Sequence, residues 1–207
     1  MKTLALELST ARGSLAWLDG EIEFEREWPN DRKNSAAFFE NLEAIRREFG
    51  APEIIIVGLG PGSYAGTRIA ISAAIGIQLF CYARMIGYPS ICAMQCDAQE
   101  YYAIGDARRK SFFFSHIIKN ELFEGPTLFS EAELQAKLES LDPATLVLSS
   151  ESLPQFHRPL ISFPSALILA RLAQKSGRSF CLPPLEPIYL REPHITVPNE
   201  RNLSLLG

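Results

Sequence analysis

Residues 58 to 68 read Gly-Leu-Gly-Pro-Gly-Ser-Tyr-Ala-Gly-Thr-Arg, and this stretch decides how the chain folds. The run Glu53–Val57 before it is rich in β-branched residues and predicts a buried strand. The apolar run from Ile69 to Phe80 after it predicts a helix. A strand, a glycine-rich turn and a helix in this order direct backbone N–H groups at a helix N-terminus, which is where many proteins bind phosphate.

The glycine turn lacks the side chains that complete the known phosphate loops. A G-x-G-x-x-G fingerprint would need a glycine in place of Ser63 or Ala65, and no lysine follows the glycines as it does in a P-loop. We therefore interpret Gly60, Gly62 and Ser63 as a degenerate phosphate loop. Its main role would be to form a tight turn that sets how the helix packs.

A carboxylate near the end of the first predicted strand belongs to the same candidate site. Glu7 is followed by the hydroxyl residues Ser9 and Thr10, and a carboxylate there could orient a metal-bound water near a phosphate. The alternative is that Glu7 is a paired structural acid, which we favour.

Composition restricts the classes of function. The chain has 207 residues, 47% of them hydrophobic and 21% charged, and a formal net charge of −4. These values predict a soluble globular protein of one large or two small domains. An acidic chain binds nucleic acid poorly by itself because phosphate contacts need clustered Lys and Arg.

One basic cluster stands apart from this acidic background. Arg108, Arg109 and Lys110 form the tip of a predicted hairpin. Three adjacent cations are most often a solvated turn, and the other interpretation is a contact with RNA or with an acidic partner surface.

Cysteines and histidines give no support for a metal centre. The four cysteines form no C-x-x-C pair, and the three histidines form neither H-x-x-x-H nor H-E-x-x-H. We expect no catalytic metal, no cofactor and reduced thiols.

The N-terminal apolar run is too short for a signal peptide, and the stretch from Ile69 to Phe80 is too short to span a bilayer. The expected location is the cytoplasm, with no membrane partner.

The order of predicted elements is βββαβα, and the second half of the chain shows a similar order. We predict an N-terminal lobe over residues 1–98, a C-terminal lobe over residues 99–192 and a tail over residues 193–207. The segment Arg84–Gln99 is predicted to link the lobes. Together these elements indicate a duplicated α/β fold of two lobes.

The helix after the glycine turn is predicted over Thr67–Cys81 and is apolar on nearly all sides, so that we expect burial on more than one side. One side would be the chain's own core and the other a protein interface; burial under the chain's own loops is the alternative. A second helix, Asn34–Phe49, supports the interface weakly. The predicted partner residues on the two helices are Phe38, Phe39, Leu42, Ile45, Arg68, Ile69, Ala70, Ala73, Ala74 and Ile77.

Arg68 has a separate hypothesis. It lies in the first turn of its helix, where a cation is destabilised by roughly 0.3–1 kcal/mol unless it is compensated. A carboxylate of this chain or of a partner would compensate it; a solvated arginine is the alternative.

Four segments in order resemble the TsaB (YeaZ) family. Residues 60–69, Gly-Pro-Gly-Ser-Tyr-Ala-Gly-Thr-Arg-Ile, resemble its G-P-G-S-[FY]-[TA]-G-x-R-[IV] signature. Residues 6–10 resemble its opening strand, residues 103–108 its D-A-R hairpin and residues 187–191 its closing P-x-Y-L-R. Only the glycine signature is specific by itself, and the ordered set makes the case.

This resemblance implies an actin/Hsp70-like (ASKHA) fold and a role in bacterial synthesis of threonylcarbamoyladenosine in tRNA. It implies a noncatalytic subunit that binds a TsaD-like catalytic subunit through two helices, here Asn34–Phe49 and Thr67–Cys81. A TsaE-like ATPase would join the complex, tRNA would be contacted indirectly, and the same helices can form a homodimer.

The sequence departs from the family pattern where Glu7 replaces an aspartate and Asn34-Ser35 replaces His-Ser. Two alternatives stay open: an ATP-dependent kinase or ATPase of the same fold, with Glu7 and the glycine turn as its active site, and a peptidase. The lack of metal and nucleophile motifs in the sequence argues against the peptidase.

Overall fold

The computed structural model describes residues 1–30 and 35–191, and these residues form two five-stranded sheets. The strands of the first sheet are β1 (Thr3–Glu7), β2 (Arg12–Asp19), β3 (Ile22–Pro29), β4 (Ile54–Gly58) and β5 (Arg84–Tyr88). Those of the second are β6 (Glu100–Asp106), β7 (Ser111–Ile118), β8 (Glu121–Ser130), β9 (Val147–Ser149) and β10 (Leu160–Ile161). Their orders, β3-β2-β1-β4-β5 and β8-β7-β6-β9-β10, correspond strand for strand, which confirms the predicted duplication.

Four helices cover the sheets within the described ranges. They are α1 (Ala36–Phe49), α2 (Tyr64–Cys81), α3 (Glu131–Ser140) and α4 (Ala166–Ala173). Helices α1 and α2 pack on one face of the first sheet, α4 packs on its other face, and α3 packs against β7 and β8.

Strand alternation explains why the first sheet has two buried faces. Leu4 and Leu6 of β1 belong to the core under α1 and α2, whereas Ala5 between them faces the core that contains α4. All residues of β1 and β4 are buried, as expected for parallel strands covered by helices on both sides.

The second half of the chain supplies the helix that joins the two sheets. Leu169 and Ala170 of α4 are fully buried, in one cluster with Ala5 of the first sheet and Ala103 of the second. The Ser14 hydroxyl accepts a hydrogen bond from the Ala166 backbone N–H at 2.9 Å, which fixes the start of α4 on β2. The two lobes therefore share one hydrophobic layer.

The prediction that Arg84–Gln99 is a linker between the lobes is wrong. Its first five residues form β5, which pairs in parallel with β4, and Ser90–Ala93 forms a short 3₁₀ helix. The sequence Arg-Met-Ile-Gly-Tyr carries no clear alternation, so this strand is specified by its pairing with β4 rather than by its own pattern. The two-residue strand β10 was also absent from the predicted elements. The sequence alone predicts a short third strand, Leu122–Glu124, after the turn at Lys119–Glu121, whereas β8 extends to Ser130.

Two local sequence patterns predict structure that is present. Asp19-Gly20 predicts a two-residue hairpin, and the hairpin is observed with Gly20 at a φ of 61°. Ser130 and Glu133 have the spacing of a capping box, and they form one at the start of α3. The predicted helix start at Asn34 and the tail 193–207 lie outside the described residues.

Helix α2 begins at Tyr64, three residues before its predicted start, because Ser63 caps it. Its 18 residues have a mean hydropathy of 1.3 and are long and apolar enough to cross a membrane by length and composition alone. Ala70, Ala74 and Ile77 are buried against the first sheet, and 28% of the helix is buried in all.

We expect Leu169→Ala to lower the free energy of unfolding by about 2–5 kcal/mol, because it leaves a cavity in the layer shared by both sheets. Urea denaturation followed by circular dichroism measures this. The control Leu182→Ala removes a side chain that is 63% exposed and should change stability by less than about 0.5 kcal/mol. An unfolding transition of the Leu169→Ala variant identical to that of the parent would contradict the shared-core description.

Candidate functional site

A cleft of about 300 Å³ lies where five segments distant in sequence meet. It is lined by the turn after β1, the glycine turn before α2, the tip of the β6–β7 hairpin, residues Ser150 and Glu151 after β9, and the segment Pro187–Arg191. Four of these segments, all but the one after β9, carry the family resemblance. The structure thus brings the sequence motifs together at one place.

The glycine turn packs directly on the turn that follows β1. A Cβ at Gly62 would lie 2.1 Å from the Ser9 carbonyl oxygen, and a Cβ at Gly66 would lie 2.0 Å from that of Leu8. Ser63 donates its backbone N–H to the Ser9 carbonyl oxygen at 2.5 Å. Glycine is needed at both positions because the two backbones touch.

Several, but not all, backbone N–H groups of the glycine turn have partners within the chain. The Gly60 N–H donates to the Ser90 hydroxyl at 2.9 Å, and the Gly66 N–H donates to the Ser63 hydroxyl at 3.3 Å. Thr67 donates its N–H to the Ser63 carbonyl oxygen. A phosphate would have to compete with these bonds, which supports the interpretation of a degenerate phosphate loop whose role is packing.

The phosphate-loop candidates separate into two groups. Ser9, Thr10, Gly62 and Ser63 line the cleft, whereas Glu7 and Gly60 are buried and are not part of its lining. The structure therefore does not place the Glu7 carboxylate where it would face a ligand in the cleft.

Glu7 is fully buried beneath the glycine turn. Its Oε1 accepts the backbone N–H of Ser9 at 2.6 Å, and its Oε2 lies only 1.8 Å from where a Cβ of residue 58 would be, which is why that residue is a glycine. Burial raises the pKa of the Glu7 carboxyl above its usual value, and polar contacts with Ser9 and Ser90 oppose this only in part. Glu7 is thus buried beneath the turn with one oxygen bonded to the Ser9 N–H, while its Oε2 has no hydrogen-bond partner in the described residues.

Three consecutive residues form the hairpin tip in the left-handed region. Arg108, Arg109 and Lys110 have φ values of 65°, 53° and 58°, and all three side chains are exposed. Arg108 lines the cleft and pairs with Asp106 at 3.1 Å, so the tip forms one rim of the cleft.

Aromatic side chains lie at the cleft mouth, and the sequence candidates did not include them. The rings of Tyr64 and Tyr189 are 5.3 Å apart. Arg68 donates to the Tyr64 hydroxyl at 2.6 Å and packs over the Tyr64 ring, while Arg191 donates to the Ser111 hydroxyl at 2.5 Å. The closing P-x-Y-L-R motif was the available signal for Tyr189 and Arg191. Glu151, which accepts the Asp106 N–H, had no such signal.

Within the described residues, the partner of Arg68 is a tyrosine and not a carboxylate. The arginine interacts with the Tyr64 hydroxyl and ring, and no carboxylate in residues 1–30 and 35–191 forms a salt bridge with it. A carboxylate supplied by a partner remains a prediction.

Burial divides the ten predicted partner residues. Six are buried in the core of the first lobe: Phe38, Leu42, Ile45, Ala70, Ala74 and Ile77. Ile69 and Ala73 are half-buried, while Phe39 and Arg68 are exposed. Side chains in the core cannot contact a partner while the lobe is folded, so any interface must use their exposed neighbours.

A different set of apolar residues is exposed on and beside α2. Leu79, Phe80 and Tyr82 are 74%, 73% and 90% exposed, and Ile75 is 42% exposed. We refer to these four residues as the α2 face. Arg46 of α1 lies over the Phe80 ring at 5.4 Å, and a groove of about 510 Å³ on α1 lies beside Phe39 and Arg46. This hydrophobic surface was not in the candidate set, although the all-round apolar pattern of the helix was its signal.

The described residues hold no group of three or more His, Cys, Asp or Glu side chains arranged to bind a metal ion. The Cys92 thiol does not resemble a nucleophile, since burial raises its pKa to about 12.

Comparison with solved structures shows the fold. The chain is similar to an uncharacterized protein with similarity to peptidase YEAZ from Pseudomonas aeruginosa, with 21% identity, a TM-score of 0.72 and coverage of 92% of this chain and 99% of that one. It is also similar to YeaZ from Pseudomonas aeruginosa, with 19% identity, a TM-score of 0.66 and coverage of 84% and 91%. No family model matches the sequence, and a search of curated proteins finds no significant match. The chain therefore has the duplicated actin-like fold of YeaZ, as the sequence predicted.

Gly66 and Gly76 of α2 form a matched pair that tests the close contact between the start of α2 and the Leu8 carbonyl group. Gly66→Ala should lower the free energy of unfolding by about 1–3 kcal/mol, because its Cβ would overlap the Leu8 carbonyl oxygen. Gly76→Ala meets nothing within 4 Å and should raise it by roughly 0.5–1 kcal/mol, as expected for alanine in a helix interior. Urea denaturation checks both, and the same sign of change for the two variants would argue against the packing role.

Glu7→Gln should stabilise the protein at neutral pH. Because the pKa of Glu7 is raised on folding, its contribution to stability is greatest below about pH 4.5 and is lost as the pH rises through the folded-state pKa. Glutamine removes the ionisation, so the melting temperature of the variant should exceed that of the parent at pH 7 and the difference should vanish near pH 4. An advantage of the variant that is equal at both pH values would contradict this account.

Proposed function

We propose that this chain is the noncatalytic partner subunit of a bacterial threonylcarbamoyl transferase complex that modifies the adenosine next to the anticodon of tRNA. It would bind a TsaD-like catalytic subunit directly, and a TsaE-like ATPase would join the assembly. The YeaZ fold and the glycine signature at residues 60–69 support this proposal.

The observation that carries the proposal is the exposure of the α2 face. Ile75 and Leu79 lie one turn apart on the same side of α2, and Phe80 points about 100° away around the helix axis, where Arg46 of α1 lies over its ring. Scattered exposed hydrophobic residues are normal, but several contiguous large ones mark a protein interaction site. Helix α2 carries no acidic residue, and Arg68 is its one charged side chain, so a partner could bury most of it with little desolvation of charge.

The same geometry explains how a subunit without catalytic groups could act. Ala70, Ala74 and Ile77 anchor α2 to the first sheet, so the exposed side of the helix is a rigid surface rather than a mobile segment. A catalytic subunit packed on this surface would be held in its active conformation. In the absence of that partner, two copies of the chain could cover the same face and form a homodimer.

The nucleotide-hydrolysing alternative meets an obstacle in this arrangement. It needs the Glu7 carboxylate and free N–H groups of the glycine turn at the ligand, but Glu7 is buried under Gly58 and the N–H groups of Gly60 and Gly66 have partners.

The cytoplasm is the location that the proposed role requires.

The experiment mixes purified TsaD-like and TsaE-like proteins with tRNA, with and without this chain, and follows modification of the tRNA. The double variant Leu79→Glu/Phe80→Glu should bind the catalytic subunit about 30-fold or more weakly and lose most of the activity, because two buried carboxylates replace interface anchors. The control Phe123→Glu alters a side chain that is 72% exposed on β8 and should leave binding unchanged.

Full modification without this chain would overturn the proposed role. Unchanged affinity of the Leu79→Glu/Phe80→Glu variant would exclude the α2 face as the binding surface. Circular dichroism confirms that each variant is folded.

A further inference from the structure

We propose that the mouth of the cleft binds single-stranded RNA, with bases stacked on Tyr64 and Tyr189 and phosphates bound by Arg108, Arg191 and the hairpin tip. The identification of the nucleic acid as RNA rests on the proposed function. The stacking and charge arguments depend only on the residues at the cleft.

The aromatic part of this site is open to solvent on its outer side. Tyr64 is 48% and Tyr189 is 43% exposed, and their rings are tilted by 38° at a centroid distance of 5.3 Å. Each ring keeps an exposed part: Arg68 packs over the Tyr64 ring at 5.0 Å and donates to the Tyr64 hydroxyl at 2.6 Å, and the Tyr189 ring packs beside that of Tyr64. Exposed aromatic faces held in fixed positions are what unpaired bases stack on, whatever their sequence.

Charged side chains of both signs lie near these rings in a chain whose net charge is −4. Arg108 and Arg191 line the cleft, as do the carboxylates Asp106 and Glu151. Asp106 accepts from the backbone and guanidinium of Arg108, and Glu151 accepts the Asp106 N–H. The excess of positive charge comes from the exposed Arg109 and Lys110, which follow Arg108 in the hairpin tip.

Shape favours a single strand over a duplex. The cleft is concave, has a volume of about 300 Å³ and carries its aromatic side chains at the entrance. Stacked, paired bases in a duplex cannot reach such rings, whereas the splayed bases of a loop can. A lone phosphate is disfavoured as the main ligand because N–H groups of the glycine turn are already bonded to Ser63 and Ser90.

The site and the α2 face lie at opposite ends of one helix. Tyr64 begins α2 and Leu79 lies 15 residues later, which corresponds to about 22 Å along the helix axis. A partner protein on the α2 face and a strand of RNA at the cleft mouth could therefore be bound at the same time.

The test uses the full chain and a fluorescein-labelled single-stranded RNA 12-mer, with binding followed by anisotropy at low salt. We expect a dissociation constant below about 100 µM that weakens as salt rises. Tyr64→Leu and Tyr189→Leu should each weaken RNA binding about five-fold or more and leave inorganic polyphosphate binding unchanged. Arg109→Gln/Lys110→Gln should weaken both ligands and reduce the salt dependence, since it removes phosphate contacts.

The matched control is Arg26→Gln/Lys175→Gln, which removes two exposed cations outside the cleft lining. It should leave RNA affinity unchanged. The proposal is overturned if RNA does not bind, if both tyrosine variants bind normally, or if the control pair weakens binding as much as the tip pair does. Because Leu79→Glu/Phe80→Glu should retain RNA affinity, loss of partner binding and loss of RNA binding are measured separately.

Discussion

The contact between the glycine turn and the turn after β1 is the constraint on which the rest of the structure depends. Gly62 and Gly66 allow the backbone of α2 to touch the carbonyl groups of Ser9 and Leu8, at distances that no Cβ could share. This contact sets the position of α2 on the first sheet. It also buries Glu7 below the turn and places Tyr64 at the mouth of the cleft. Packing, buried charge and the candidate site thus follow from one close approach of two backbone segments.

The same contact changes the chemistry that a strand–turn–helix unit normally offers. In a phosphate loop the N–H groups at the start of the helix are free for a ligand. Here Ser63 and Ser90 accept hydrogen bonds from Gly66 and Gly60, and the adjacent carboxyl is buried with a raised pKa. The fold leaves large apolar side chains exposed at one end of α2 and, at the other, a cleft lined by Tyr64, Tyr189 and charged side chains of both signs. The two proposals above assign a binding role to each of these surfaces.

The shared core explains why two similar halves form one stable unit. Helix α4 comes from the second half of the chain, but it packs on the first sheet, and its buried residues Leu169 and Ala170 lie in one hydrophobic cluster with residues of both sheets. The hydrogen bond between Ala166 and Ser14 and the ion pair between Arg171 and Glu23 add polar contacts across the halves. The relative position of the sheets, and with it the cleft, is therefore fixed by packing.

Local patterns in the sequence determined the duplicated α/β order, the hairpin at Gly20, the capping box of Ser130 and the degenerate character of the glycine turn, because each depends on residues close together in the chain. Strand β5 was missed because its identity comes from pairing with β4. Only the tertiary structure shows which apolar side chains of α1 and α2 are buried in the core and which are exposed. When a helix has hydrophobic residues on all sides, its sequence does not indicate which side packs against the sheet. The tertiary structure alone also brought Tyr64, Arg108 and Tyr189 to one cleft, because nothing in a linear pattern specifies which distant turns meet in space.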